Sequence, residues 1–244
     1  MTTRDMPDIP DIPGSPMART PPVPPVLTRL PETVQRAAGL AARGTRTVLG
    51  IAGGPGSGKS TIAAAIVTAL GPGAAVVVPM DGFHLANTQL RAQGLAEVKG
   101  NIATFDAVGY AALLARLRDQ RRDEIVYAPY FDRSLEESIG SAIRVDPTVP
   151  LVITEGNYLL SDGPSWERAR ACLTECWYVD VAVDLRVHRL IERHIGHGRS
   201  PQAAREWVLR SDEANARLVA ATADRADVFV RLSEQQEPDE RAEP

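Results

Sequence analysis

The stretch TVLGIAGGPGSGKST, Thr47–Thr61, decides how the rest of the chain is read. Its first half is a continuous apolar run of the kind that forms a buried strand. Its second half matches the pattern G-x-x-x-x-G-K-[ST] at Gly53, Gly58, Lys59 and Ser60. Glycines at 53, 54, 56 and 58 let successive backbone N–H groups converge on an anion. A helix expected from Lys59 to Leu70 directs the positive end of its dipole to the same point. Gly53, Gly54, Pro55, Gly56, Ser57, Gly58, Lys59, Ser60 and Thr61 are therefore expected to hold the phosphates of ATP. Lys59 would reach the β- and γ-phosphates, and the Ser60 hydroxyl would hold Mg²⁺. Such a loop does not by itself choose between ATPase, GTPase and kinase. Lysine occurs only at 59 and 99, neither within an N-K-x-D guanine-reading motif, so a GTPase recedes.

Next along the chain, VVVPMDGFH (Val76–His84) runs from an apolar strand into an aspartate. In a parallel sheet, ligands bind at the carboxyl ends of the strands, so Asp81 should share a rim with the phosphate loop. A carboxylate there accepts the proton of a substrate hydroxyl during in-line phosphoryl transfer; a capping aspartate is the inert alternative. Gly82 would let a substrate come close, and His84 would bond it. In ITEGNYLL, Glu155 ends another apolar strand, where a buried acid is costly without a cation nearby, so it is expected to serve Mg²⁺. Further on, Arg186, Arg189 and Arg193 lie on an expected helix Asp184–His197, the start of a helical lid. Arginine suits the charge of a transferring phosphoryl group, and Arg193 is the lid residue expected to close over it. His188, His194 and His197 read as a solvated face rather than a zinc site.

Between residues 28 and 232 apolar strands alternate with helical patterns. The expected order is helix 32–42, strand 47–53, helix 59–70, strand 74–80 and helix 106–120. Strands near 124–131, 141–145 and 151–157 come next, then a helix near 166–173 and strand 176–181. Helices 184–197 and about 200–223 precede the final strand 227–232. This is α/β: a doubly wound parallel sheet flanked by helices, with a helical lid. Residues 1–27 are proline-rich and read as a loose tail; 233–244 are acidic and read the same way. With a net charge of −4 there is no basic field for nucleic acid. No apolar run reaches the ~20 residues of a membrane span. Cys172 and Cys176 are the only cysteines, are expected to be buried, and suit a reducing cytoplasm.

Taken together, GGPGSGKST, PMDGFH, KGNIATFD, YAPYFDR, ITEGNYLL and RLIERHIGHG resemble the uridine kinase, phosphoribulokinase and bacterial pantothenate kinase superfamily over residues 30 to 232. The likeness is nearest to its nucleoside/nucleotide kinase-like branch, which includes fructose-kinase-like members. The resemblance implies that Asp81 is the base, Glu155 serves Mg²⁺ and Arg193 touches the phosphates. It also implies that Lys99, Asp106 and Arg133 sit around the acceptor. The expectation is an ATP- and Mg²⁺-dependent kinase acting on a small polar metabolite. A sugar such as fructose comes first, then a nucleoside or a pantothenate-like alcohol. A nucleotide-binding regulatory ATPase and an enzyme acting on an already phosphorylated acceptor stay open, as does a homodimer. No nucleic-acid or membrane partner is expected.

Overall fold

The computed structural model describes residues 23–232, so the expectations for 1–22 and 233–244 lie outside the described residues. In chain order the first elements are β1 (Val26–Leu27), α1 (Leu30–Ala41), β2 (Thr47–Ala52), α2 (Lys59–Leu70), β3 (Ala75–Val77), α3 (Asn87–Ala92) and α4 (Ala107–Arg118). Then come β4 (Val126–Asp132), β5 (Glu137–Val145), β6 (Leu151–Gly156), α5 (Pro164–Arg170) and β7 (Glu175–Val179). The chain continues through α6 (Val183–Gly196), α7 (Pro201–Trp207), α8 (Glu213–Ala220) and β8 (Val228–Val230). Six strands form one parallel sheet in the order β1-β8-β7-β2-β6-β3.

The sheet is covered on both faces, which is why its central strands carry no polar face. Every residue of β2 and β6 is buried. Period-2 alternation divides β2 between the layers. Val48 and Ala52 pack with Tyr110, Leu114 and Leu117 of α4 and Trp166 of α5. Leu49 and Ile51 pack with Leu40 of α1 and Ile62 and Ile66 of α2. Cys172 and Cys176 are buried and unbridged, as expected of small core residues.

The structure departs from the sequence reading in four places. β3 is three residues long rather than seven. Val78 N still bonds Ile153 O (2.8 Å), but Pro79 has no N–H to continue the ladder, and Met80–Phe83 coil into a 3₁₀ turn. Next, β4 and β5 pair antiparallel with each other in a separate two-stranded sheet. The long helix expected over 200–223 is broken into α7, a π-helical turn at Val208–Asp212, and α8. Finally, the boundary drawn at residue 27 is misplaced, because Val26–Leu27 form an edge strand on β8. Phe229 N bonds Pro25 O (2.9 Å) and Arg231 N bonds Leu27 O (2.8 Å). Prolines are tolerated there because an edge strand needs donors on one side only.

Candidate active site

The carboxyl ends of β2, β3 and β6 open on one side of the sheet, beside the β4–β5 hairpin and the lid helices. A cavity of about 140 Å³ lies there. α2 starts directly out of the glycine loop: its N-cap, Gly58, is left-handed (φ 85°) and offers no capping side chain. The first-turn N–H groups thus stay available to an anion. Lys59 is 7 % exposed. Its ammonium donates to Gly54 O (3.0 Å) and Asn157 Oδ1 (2.9 Å). Burial pushes its pKa down to about 8, with the charges of Glu155 and Asp81 opposing the shift.

Beside it, Ser60 Oγ donates to Glu155 Oε1 (3.1 Å). Glu155 sits above the ordinary carboxylate range, first through burial and then through the charge of Asp81, while Lys59 pulls it back. An exposed hydroxyl beside a buried carboxylate is a hard-oxygen donor set of the kind Mg²⁺ takes, completed in kinases by substrate phosphates and water. No cluster of three or more His, Cys, Asp or Glu suited to a metal occurs among the described residues. On α6, His194 Nε2 lies 3.0 Å from Asp212 Oδ2.

Asp81 is carried by the 3₁₀ turn that Pro79 forces, which aims it into the cavity. Its Oδ2 is 3.3 Å from Arg133 Nη2. His84 closes the same turn, its Nδ1 2.8 Å from Asp81 O. The ring lies between Phe105 and Phe131, with centroids at 4.0 and 4.7 Å. Burial lowers the His84 pKa against the pull of Asp81, so the ring is held towards its neutral form. Lys99 donates to Asn87 Oδ1 (3.0 Å) and Glu136 O (2.6 Å) and stands 4.9 Å from the Phe131 centroid.

Thus Lys59, Ser60, Asp81, His84, Lys99, Arg133, Glu155 and Arg193 gather around one cavity. Asp106 is not among its lining residues. It caps α4, its Oδ1 accepting from Gly109 N (2.8 Å); an aspartate just before a helix satisfies an orphan N–H. Gly82, expected to let a substrate come close, faces the hairpin instead. A Cβ on Gly82 would meet Pro129 O at 2.5 Å, and one on Gly156 would meet Met80 Cβ at 2.5 Å. Both glycines make room for the protein itself, although Gly156 also lines the cavity. Arg186 turns under the loop: Nη1 donates to Pro55 O (3.1 Å) and Nη2 to Glu213 Oε1 (2.5 Å).

Sequence reasoning missed Asn157, Asp212 and Asn215, which also line the cavity. Asn157 stands two residues past Glu155 on the same rim, a signal that was present. Asp212 and Asn215 come from the lid, where nothing in the local pattern marks them.

A parallel sheet with this loop at its switch point and acids on the same rim defines a P-loop phosphotransferase. The model of the Phosphoribulokinase / Uridine kinase family matches residues 48–237, and the chain belongs to that family. It is 31% identical over 210 residues to a protein of Schizosaccharomyces pombe provisionally named a uridine kinase, covering 82% of this chain and 89% of the relative. A crystal structure from Silicibacter sp. TM1040, provisionally described as a fructose transport system kinase, is 36% identical. It superposes with a TM-score of 0.71 over 81% of this chain and 98% of that one. D-glycerate 3-kinase of Cryptococcus neoformans shares the fold (TM-score 0.62, 86% and 97% covered) at 13% identity. The protein is an ATP-dependent kinase that transfers phosphate to a small metabolite. No helix among the described residues is long and apolar enough to cross a membrane.

Proposed function

We propose that the acceptor is a small polyhydroxylated metabolite, a sugar first, then a nucleoside or a pantothenate-like alcohol, and that Asp81 is the base. The observation that carries this is the presence of Asp81 and the phosphate-holding Lys59 on the lining of a single small polar cavity. The provisional description of the Silicibacter structure as a fructose transport system kinase supports putting a sugar first.

The acceptor hydroxyl gives its proton to an Asp81 carboxylate oxygen as its own oxygen attacks the γ-phosphorus. The new P–O bond forms while the bond to the β,γ-bridging oxygen breaks, and ADP leaves with that electron pair. Lys59 and the loop amides hold the phosphates in line, and Arg193 meets the charge spreading over the equatorial oxygens. Ser60 and Glu155 would hold Mg²⁺, whose charge, when bound, offsets that of the β- and γ-phosphates. Asn157 keeps the Lys59 ammonium directed at the loop before ATP arrives.

The test is ADP release with Mg-ATP across sugars, nucleosides and pantothenate, with Asp81→Asn alongside. The expected result is one acceptor that raises turnover well above the basal rate, and a ~10²–10⁴-fold loss of that increment in the variant, the range general-base catalysis supplies. Retention of the increment in Asp81→Asn would remove the base assignment.

A further inference from the structure

We propose that Thr154 is a positioning residue for the base. Oriented by Tyr110, its hydroxyl stands in for the strand ladder that Pro79 cuts, and so fixes where Asp81 stands relative to Glu155. This rests on the phosphotransfer reading above, in which Asp81 takes the proton.

The sheet stops short of the residue that has to be placed most closely. β3 pairs with β6 from Ala75 to Val77, and Val78 N adds a bond to Ile153 O (2.8 Å). Pro79 then has no N–H to give. The 3₁₀ turn Met80–Phe83, which carries Asp81, starts where the ladder has ended.

β6 supplies a hold from its side-chain positions instead. Thr154 and Gly156 are two residues apart on the strand and therefore lie on one face. Thr154 Oγ1 donates to Val78 O (2.7 Å), the carbonyl just before Pro79. Gly156 leaves the space that Met80, just after Pro79, fills; a Cβ there would meet Met80 Cβ at 2.5 Å. Both flanks of the proline are thus seated on β6, and Glu155 lies between the two residues that seat them. Val152, buried on the same face, shows that packing alone asks for no hydroxyl.

The direction of the chain of bonds follows from proton count. A hydroxyl has one proton, and Thr154 gives its own to Val78 O, so in the 2.7 Å contact with Tyr110 Oη it is Tyr110 that donates. Both residues are 0% exposed, so water does not compete for either bond. Burial also raises the Tyr110 phenol well above its ordinary range, which keeps its proton in place. The Tyr110 ring packs edge-on against Phe83, the last residue of the turn (centroids 5.2 Å apart). One tyrosine of α4 therefore braces both ends of the segment that bears Asp81. Misplacing a reacting group by about 1 Å costs on the order of 10²-fold in rate, so a loosened turn should be felt in turnover before it is felt in ATP binding.

The experiment measures ADP release by the full chain with Mg-ATP, with and without each sugar, nucleoside and pantothenate of the panel above. Wild type, Thr154→Val, Thr154→Ser and Tyr110→Phe are compared, together with Asp81→Asn and the double variant Asp81→Asn with Thr154→Val; thermal melts verify folding. Thr154→Val should lose about tenfold or more of the acceptor-stimulated kcat, with KM for ATP within about twofold of wild type. Thr154→Ser, which keeps the hydroxyl, should recover most of that loss, and Tyr110→Phe should fall between the two. In the Asp81→Asn background Thr154→Val should cost less than about twofold further, because a base that is absent cannot be misplaced. A Thr154→Val protein that melts lower but keeps its stimulated kcat overturns the proposal and leaves Thr154 a core residue. Equal losses with and without Asp81 also overturn it, since the hydroxyl then acts through another group. If Thr154→Val does not fold, a stimulated kcat unchanged in Tyr110→Phe and Thr154→Ser alike overturns it as well. Retention of the increment in Asp81→Asn removes the base assignment, and the proposal with it; no stimulation by any acceptor removes the phosphotransfer reading too.

Discussion

At the scale of single residues, Lys59 shows what the site demands of the fold. The ammonium is buried with one carbonyl and one amide oxygen as partners, and burial brings its pKa from 10.5 to about 8. Between those values the unfolded chain keeps a proton that the folded chain has released, so stability rises with pH across that window. Below about pH 8 the cost of the buried charge, roughly 3 kcal/mol, is present in full. Lys59→Met should lack this rise. Melting curves of both proteins without nucleotide, from pH 7.5 to 10.5, should show the wild type gaining on the variant; parallel curves would show that the lysine is not desolvated. The same burial sharpens function, because an ATP phosphate that meets this ammonium competes with little water.

Among elements, the contact that matters most to the site is the one between the lid and the phosphate loop. Arg186 of α6 reaches Pro55 O and is paired with Glu213 at the start of α8, with side chains 8% and 13% exposed. Breaking a buried pair from one side leaves an uncompensated charge. Glu213→Ala should therefore lose about 3–5 kcal/mol in urea unfolding, while Arg186→Met with Glu213→Leu recovers most of it. Failure of the double variant to recover would mean that the bond to Pro55 O, not the ion pair, carries the effect. Between α7 and α8 the π-helical turn shifts the register of the lid, as such turns commonly do at functional sites. Asp212, its last residue, and Asn215, in the first turn of α8, reach the cavity. Asn215 Nδ2 also donates to Gly100 O (3.4 Å), joining the lid to the loop that carries Lys99.

Across the whole molecule, two apolar layers share one sheet. Trp166 belongs to one layer and Trp177 to the other, and neither layer can keep its strands buried after the other has gone. Variants retaining only Trp166 or only Trp177 should therefore give the same urea midpoint by fluorescence. Midpoints that separate by more than the fitting error would show that the layers unfold independently. A variant retaining only Trp207, which stacks with Arg199 (4.2 Å from the ring centroid), reports the lid instead.

What the sequence determined by itself is the chemistry whose grammar is local. The strand–loop–helix from Thr47 to Leu70 was legible because its glycines, lysine and helix start are neighbours in the chain. Asp81 and Glu155 were legible because each follows an apolar run, and parallel strands deliver such residues to one rim. Tertiary structure decided the remainder, since it turns on partners far apart in sequence. Asn157 meets Lys59 across 98 positions, and Arg133 meets Asp81 across 52. The same holds for the hairpin as a separate sheet, the lid residues in the cavity, and Pro129 and Met80 filling the space beside Gly82 and Gly156. Asp106 shows the limit from the other side: a carboxylate placed by motif near an acceptor had a nearer claim, the open N–H of its own helix. Short-range hydrogen bonds and strand ends are written along the chain, whereas which side chains face one cavity depends on packing that only the closed fold supplies.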